Sequence, residues 1–445
     1  MNDHRNIAKG LFAGAATTNI TPTGSQFLYG YPFAERMSEG VHDCLLSSAL
    51  YLANGAEQAL LISNDLIYLS KSSVSRIRKI IAENTGIPVS KIMVAATHTH
   101  SGPVTVASVI DGNDPVIPGP DPEYVKYMEG KTIEAACKAF SNATSAQAGF
   151  ILADGTGAGT NRYDPSGPAD MEIPVLFIRK PDKEFLACLL VCNMHPTVLH
   201  EDSRLYSGDF PSFTREILQK DYLKCECPVL YFTGAAGNQS PRHVTRANTF
   251  EEARRIGGII AKAAGSKIMD GVEFSTEVPV SSFRKFIDLP RRKFPDVRNA
   301  RAYRDRVFNQ LEQLRKSSKD LKEIRTSEVN WFGAEESLYL SQLAEKGELE
   351  TAYDSCLPAE IQVFKIGPWF LAAWPGEIFV EYVLKLKKHF YNIFLITIAN
   401  GELQGYIATE EAEKKGLYEA SNSIFHYSAG DLLVEETIKL LKTGN

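Results

Sequence analysis

Nine histidines occur among the 445 residues, and three of them sit in patterns suited to chemistry. His98 and His100 stand two apart in VAATHTHSGP, directly after the apolar run 91–96. Side chains two apart on a strand share a face, so both imidazoles are expected to emerge together where that strand ends. Imidazole is the commonest protein ligand for zinc and exchanges protons near neutral pH. His195, in LVCNMHPTVLH, closes a second apolar run just before Pro196. VLYFTGAAGNQSPR continues a third run into a glycine-rich turn with Asn238, Gln239 and Ser240, where exposed backbone N–H groups would meet an oxyanion. LAAWPGEIFVEY turns at Pro375-Gly376 and then presents Glu377, and Tyr406 and Tyr418 follow the Asn400-Gly401 turn. Each feature alone has a plain structural reading, as a packed histidine, a cap or a turn. Collected at strand ends, nitrogen and oxygen donors of this kind suit Zn²⁺ with one position left for water.

The elements that must hold these residues alternate along the chain. Apolar runs at 59–63, 91–97, 173–179, 185–193, 229–233, 361–374 and 393–399 read as strands. Helical periodicity occupies 71–84, 122–141, 211–222 and 249–268, the last opening on Thr249 followed by Phe250-Glu251-Glu252, a capped start. The pattern predicts an α/β fold, mixed β-sheets flanked by helices, whose sites form at strand ends. No repeat or linker divides the chain, so residues 1–445 read as one domain. Residues 284–346 read as a helical insertion, rich in mixed Arg, Lys and Glu around Val307, Leu311 and Leu314, and so as a solvated face. The Gly- and Pro-rich stretch 109–121 reads as a loop able to cover a site.

Composition narrows the class. The chain is 44% hydrophobic and 23% charged with a net charge of −6, an ordinary globular balance that argues against a nucleic-acid partner. No apolar run reaches the ~18 residues of a membrane span, so no transmembrane segment is expected. The first residues lack the apolar core of a secretory signal. Cysteines 44, 137, 188, 192, 225, 227 and 356 are odd in number and lack C-x-x-C spacing, which fits free thiols and a cytoplasmic location.

THTHSGP, NMHPT, G-x-x-SP, PGE and AN…GYIATEEA…YEAS, in that order, resemble the neutral, non-lysosomal ceramidase family, from ITPTG…YGYPFAERMSEGVHD to about residue 428. The resemblance implies the catalytic domain only, without the immunoglobulin-like domain that follows it in that family. It implies a zinc-dependent amidase releasing a fatty acid from N-acylsphingosine. The ligands it implies are His98, His195, Glu377 and Tyr406. Beside them it implies catalytic roles for His100, Arg162 (in GTNRYDP), Tyr418 and Ser240. On this reading zinc-activated water attacks the amide carbonyl, Arg162 or Tyr418 stabilises the oxyanion, and His100 protonates the departing amine. The hexapeptide GNQSPR departs from the family's G-D-V-S-P-N-like form, with Asn238-Gln239 for its Asp-Val pair and Arg242 for its closing Asn. That leaves the substrate open between ceramide, another lipid or small-molecule N-acyl compound, and a small polar ester or amide. A non-catalytic ligand-binding homologue is the third alternative. Oligomeric state is not legible.

Overall fold

A computed structural model describes residues 10–318 and 320–443. Runs that are apolar at every position become strands buried on both faces, which places them in the middle of a layered structure. Ile92–Ala96 is such a strand, with all five residues buried. It pairs in parallel with Glu57–Asn64, at the edge of a five-stranded sheet completed by Leu46–Asn54, Leu11–Asn19 and Thr144–Ser145. A second five-stranded sheet runs Val229–Thr233, Phe185–Cys192, Glu172–Arg179, Gln147–Asp154 and Phe274–Ser275. Its first pair is again parallel. A third, four-stranded sheet joins Val280–Ile287, Ala359–Ile366, Trp369–Ala373 and Ile393–Ile396, with the last pair parallel.

One core serves all three sheets. Leu61 and Met93 of the first, Leu189 and Phe232 of the second, and Phe364 and Leu371 of the third belong to a single buried cluster. The opposite faces are covered by helices. Lys71–Thr85 and Pro122–Ser141 supply Val74, Ile77, Tyr124 and Met128 to the first sheet's outer core. Phe210–Ile217 and Phe250–Asp270 cover the second sheet, and Ser428–Thr443 packs on the third. The expected mixed sheets with flanking helices are present, and Thr249 caps Phe250–Asp270 by accepting the Glu252 N–H.

Three differences from the sequence reading have local causes. The run 361–374 is two antiparallel strands, because Gly367 at φ 58° and Pro368 make a turn that periodicity cannot register. Leu46–Asn54 mixes serines with apolar residues and was not expected, yet it sits at the centre of its sheet. Residues 284–287 complete the strand Val280–Ile287, and the helices Val297–Ser317 and Leu321–Lys346 follow it. Among the described residues no helix is long and apolar enough to cross a membrane, and all seven cysteines are free.

Candidate metal centre and adjoining cavity

The parallel pairs bring strand ends to one place, and the site is assembled there. Thr97, just after Ile92–Ala96, lends its carbonyl to the Thr233 hydroxyl at 2.6 Å. Thr233 in turn accepts the Thr397 N–H at 2.8 Å, so segments from all three sheets are tied together where their strands finish.

His98 lies two residues beyond its strand, with φ 67°, a left-handed conformation that costs a non-glycine residue free energy. The strand-alternation argument for pairing His98 with His100 therefore does not apply. A left-handed turn brings the rings to 4.9 Å, edge to face. Close approach also explains Gly30: a Cβ there would run into the His100 ring, and the residue sits at φ +125°. The second histidine loop is anchored at Asp209, whose carboxylate accepts the N–H groups of Val198 (3.0 Å) and Leu199 (2.9 Å).

His98, His195 and Glu377 form a tight, fully buried trio. Nε2 of His98 lies 2.9 Å from Nε2 of His195 and 3.1 Å from Oε2 of Glu377. The remaining edge, His195 Nε2 to Glu377 Oε2, is 3.6 Å. Each ring is fixed from behind. His98 Nδ1 meets the Ile67 carbonyl at 3.0 Å and His195 Nδ1 meets the Ala236 carbonyl at 3.2 Å. A carbonyl only accepts, so both Nδ1 atoms carry the proton and both Nε2 atoms turn inward, towards each other and Glu377. Two imidazole nitrogens and a carboxylate oxygen turned inward within 3.6 Å are held together by a positive charge among them, a shared proton in the metal-free protein or a metal ion in its place. The three edges bracket the ~3.3 Å expected between donors about 2.0–2.1 Å from a tetrahedral Zn²⁺. The donor set fits that ion.

The surroundings shape the charges. Burial lowers the His195 and His100 pKa values well below the usual imidazole range, reinforced by the neighbouring His98. Burial alone would raise the Glu377 carboxyl, but His98, then His195 and the Tyr68 hydroxyl, hold it well below the carboxylate range. Tyr68 donates a short hydrogen bond to Glu377 Oε1. Burial first, and Glu377 next, push that phenol up, so it remains a donor.

The other residues singled out by sequence converge on the same place. Glu377 follows the Gly376 turn (φ 81°) and pairs in register with Tyr406 across the two parallel strands Glu377–Ile378 and Tyr406–Ile407. A cavity of about 240 Å³ is lined by His100, Arg162, His195, Ser240, Tyr406 and Tyr418. A smaller one, about 50 Å³, adjoins Glu377, His100, Tyr406 and Tyr418. His98 completes the trio behind them. His100 donates from Nδ1 to the Gly30 carbonyl at 2.9 Å, leaving its buried Nε2 without a hydrogen-bond partner. The metal-capable atoms of His98, His100 and His195 all lie within 4.8 Å of one another. Arg162 is held by Glu419 through a short ion pair and lies 5.5 Å from the Tyr406 ring centre. Antiparallel pairing of Thr160–Asn161 with Gln239–Ser240 brings Arg162 and Ser240 to the same wall.

Two sequence expectations change. The turn after Val229–Thr233 does not hold its N–H groups open for an oxyanion: those of Ala235, Ala236, Gly237 and Gln239 bond to Asn193, Gly234, Ile378 and Ala236. And the helix Leu321–Lys346, read as a solvated face, supplies Arg325, Thr326, Val329 and Phe332 to the cavity wall. The loop 109–121 contributes Ile110 and Ile117 to the smaller cavity. It is tied down where Gln404 accepts the Val109 N–H at 2.6 Å. Sequence reasoning missed Tyr68, Glu419 and the three backbone carbonyls that orient the imidazoles. Glu419 was within reach, adjacent to Tyr418 in YEAS; Tyr68 carries no local signal.

No protein-family model matches the chain, and no curated protein resembles it in sequence. Solved structures do. The neutral ceramidase from Pseudomonas aeruginosa superposes with a TM-score of 0.74 at 15% identity, covering 97% of this chain and 74% of that one. A ceramidase complexed with C2 gives 0.74 at 14%, covering 97% and 75%. The chain therefore adopts the fold of a neutral-ceramidase-like catalytic domain.

Proposed function

We propose that this protein is a zinc-dependent amidohydrolase cleaving an N-acyl amide, ceramide or a related N-acyl compound, into a carboxylic acid and an amine. The observation that carries the reading is the buried trio of two imidazole Nε2 atoms and one carboxylate oxygen, all within 3.6 Å. His98, His195 and Glu377 would hold the ion, with Tyr406 as the fourth protein ligand. Bound there, zinc supplies Lewis acidity and a water acidic enough to attack a carbonyl near neutral pH.

The chain's own residues account for the rest. Tyr68 and the Ile67 and Ala236 carbonyls fix the ligand orientations. Neutral His100, with a free Nε2, takes a proton from the attacking water and passes it to the departing nitrogen, without which the C–N bond does not break. Arg162, pinned by Glu419, and the Tyr418 hydroxyl stabilise the negative charge that develops on the carbonyl oxygen. Ser240 lines the wall and accepts the Arg242 N–H at 3.4 Å; no histidine or carboxylate among the described residues hydrogen-bonds its hydroxyl. A positioning role follows, not a nucleophilic one. A cytoplasmic location agrees with the free cysteines.

The test is sphingosine release from a short-chain N-acylsphingosine by purified zinc-loaded protein, with and without chelator. Chelator-sensitive release supports the proposal. A protein that binds zinc yet leaves N-acylsphingosine and soluble N-acyl amides intact while cleaving small esters supports the alternative, a metal-dependent esterase. A covalent acyl adduct on Ser240 would overturn the water mechanism.

A further inference from the structure

Building on the amidase reading, we propose that the cavity accepts N-acyl compounds bearing a carboxylate, the chemical class of N-acyl amino acids, and that Arg242 selects them. Arg242 lines the same cavity as His100 and His195. Its Nη2 donates to the Thr326 hydroxyl at 2.7 Å. The charged groups that act on it are both cations, Arg162 and Arg325. Burial, and then those two charges, lower its pKa.

The other two arginines of the lining are already neutralised. Arg162 pairs with Glu419, and Arg325 with Glu201 at 3.2 Å and Glu328 at 2.5 Å. Arg242 has no carboxylate partner among the described residues. A guanidinium at the open side of the cavity, set beside two like charges and lacking a counterion, is stabilised by an anion delivered there. Its planar fork matches a carboxylate in two parallel hydrogen bonds. Val329 and Phe332 on the same lining give an acyl chain apolar contact. N-acylsphingosine has no charge to offer Arg242, and an N-acyl amino acid does.

Binding separates this inference from the amidase reading. N-hexanoylglycine and its uncharged isostere N-hexanoylglycinamide are titrated by calorimetry into the full chain, metal-free and zinc-loaded, alongside Arg242→Gln and Arg242→Lys. The carboxylate is expected to bind about 10–100-fold tighter than the carboxamide, the worth of a charged hydrogen-bonded pair. That ratio collapses towards one in Arg242→Gln, is partly kept in Arg242→Lys, and shrinks with added salt in the unaltered protein. Equal affinity for the two compounds, or a preference that survives in a folded Arg242→Gln, overturns the proposal. Should the variant fail to fold, a salt-insensitive ratio in the unaltered protein overturns it equally. Hydrolysis is read separately: selective binding of N-hexanoylglycine, with neither it nor N-acylsphingosine cleaved, keeps this inference and sinks the amidase reading. Hydrolysis without carboxylate preference does the reverse.

Discussion

The candidate metal trio and the helical wall across the cavity from it are built on different physics. His98, His195 and Glu377 sit at strand ends, 1–4% exposed in their side chains, each backed by a backbone carbonyl or a buried phenol. The wall formed by the helix Leu321–Lys346 carries one arginine, Arg325, held by the partly exposed carboxylates of Glu201 and Glu328. In the first region low dielectric and fixed geometry make every contact costly to lose; in the second, solvent screens the pairs. On the proposed reading, chemistry belongs to the sheet ends and substrate choice to the helices Val297–Ser317 and Leu321–Lys346.

Substitutions on the two sides sharpen that division. Glu377→Ala should have the largest effect: zinc content by elemental analysis falls to background and activity disappears, since two imidazoles alone make a weak site. Retained metal would remove Glu377 from the ligand set. His100→Ala should keep its zinc and lose about 10²–10⁴-fold in kcat, the usual worth of a positioned acid–base group. Loss of zinc instead would make the third histidine of the cluster a ligand. Tyr68→Phe deletes only the hydrogen bond to Glu377 and should cost roughly 10–100-fold in zinc affinity or activity, measured by competition with a chromogenic chelator. On the other side, Phe332→Ala should leave zinc untouched and raise KM for long acyl chains roughly tenfold. Equal loss in kcat would show that the helix also serves the chemistry.

A smaller effect concerns pH. His100 and His195 have pKa values lowered by burial, so the folded, metal-free protein holds these rings neutral where the unfolded chain, with a histidine pKa of about 6.5, is protonated. The unfolded state then binds more protons below that value, and stability falls as pH drops from 7 to 5. The urea midpoint of metal-free protein should follow, and His100→Gln should flatten the fall. A midpoint indifferent to pH would mean that the rings are charged when folded.

Legibility in the sequence followed locality. Ile92–Ala96 and Val229–Thr233 were readable because burial on both faces demands an unbroken apolar run. Leu46–Asn54 was not, because its serines find partners only in the assembled structure, as Ser48 does with Thr17 at 2.9 Å. His98 and His100 were identified correctly as a pair on an argument that the left-handed turn replaces.

By itself, the sequence determined the layered α/β class, the set of residues that gather at the strand ends, and the chemistry those residue types permit, because apolar periodicity and side-chain donors are local properties of the chain. Only the tertiary structure decided the rest. Residues 98, 195 and 377 are far apart in the chain, and their donor atoms meet within 3.6 Å only because three sheets share one core and finish at one end. The proton positions on the two rings follow from the carbonyls of Ile67 and Ala236, and the uncompensated charge of Arg242 from which carboxylates reached its neighbours first. Such facts are relations between distant segments, and folding alone brings those segments into contact.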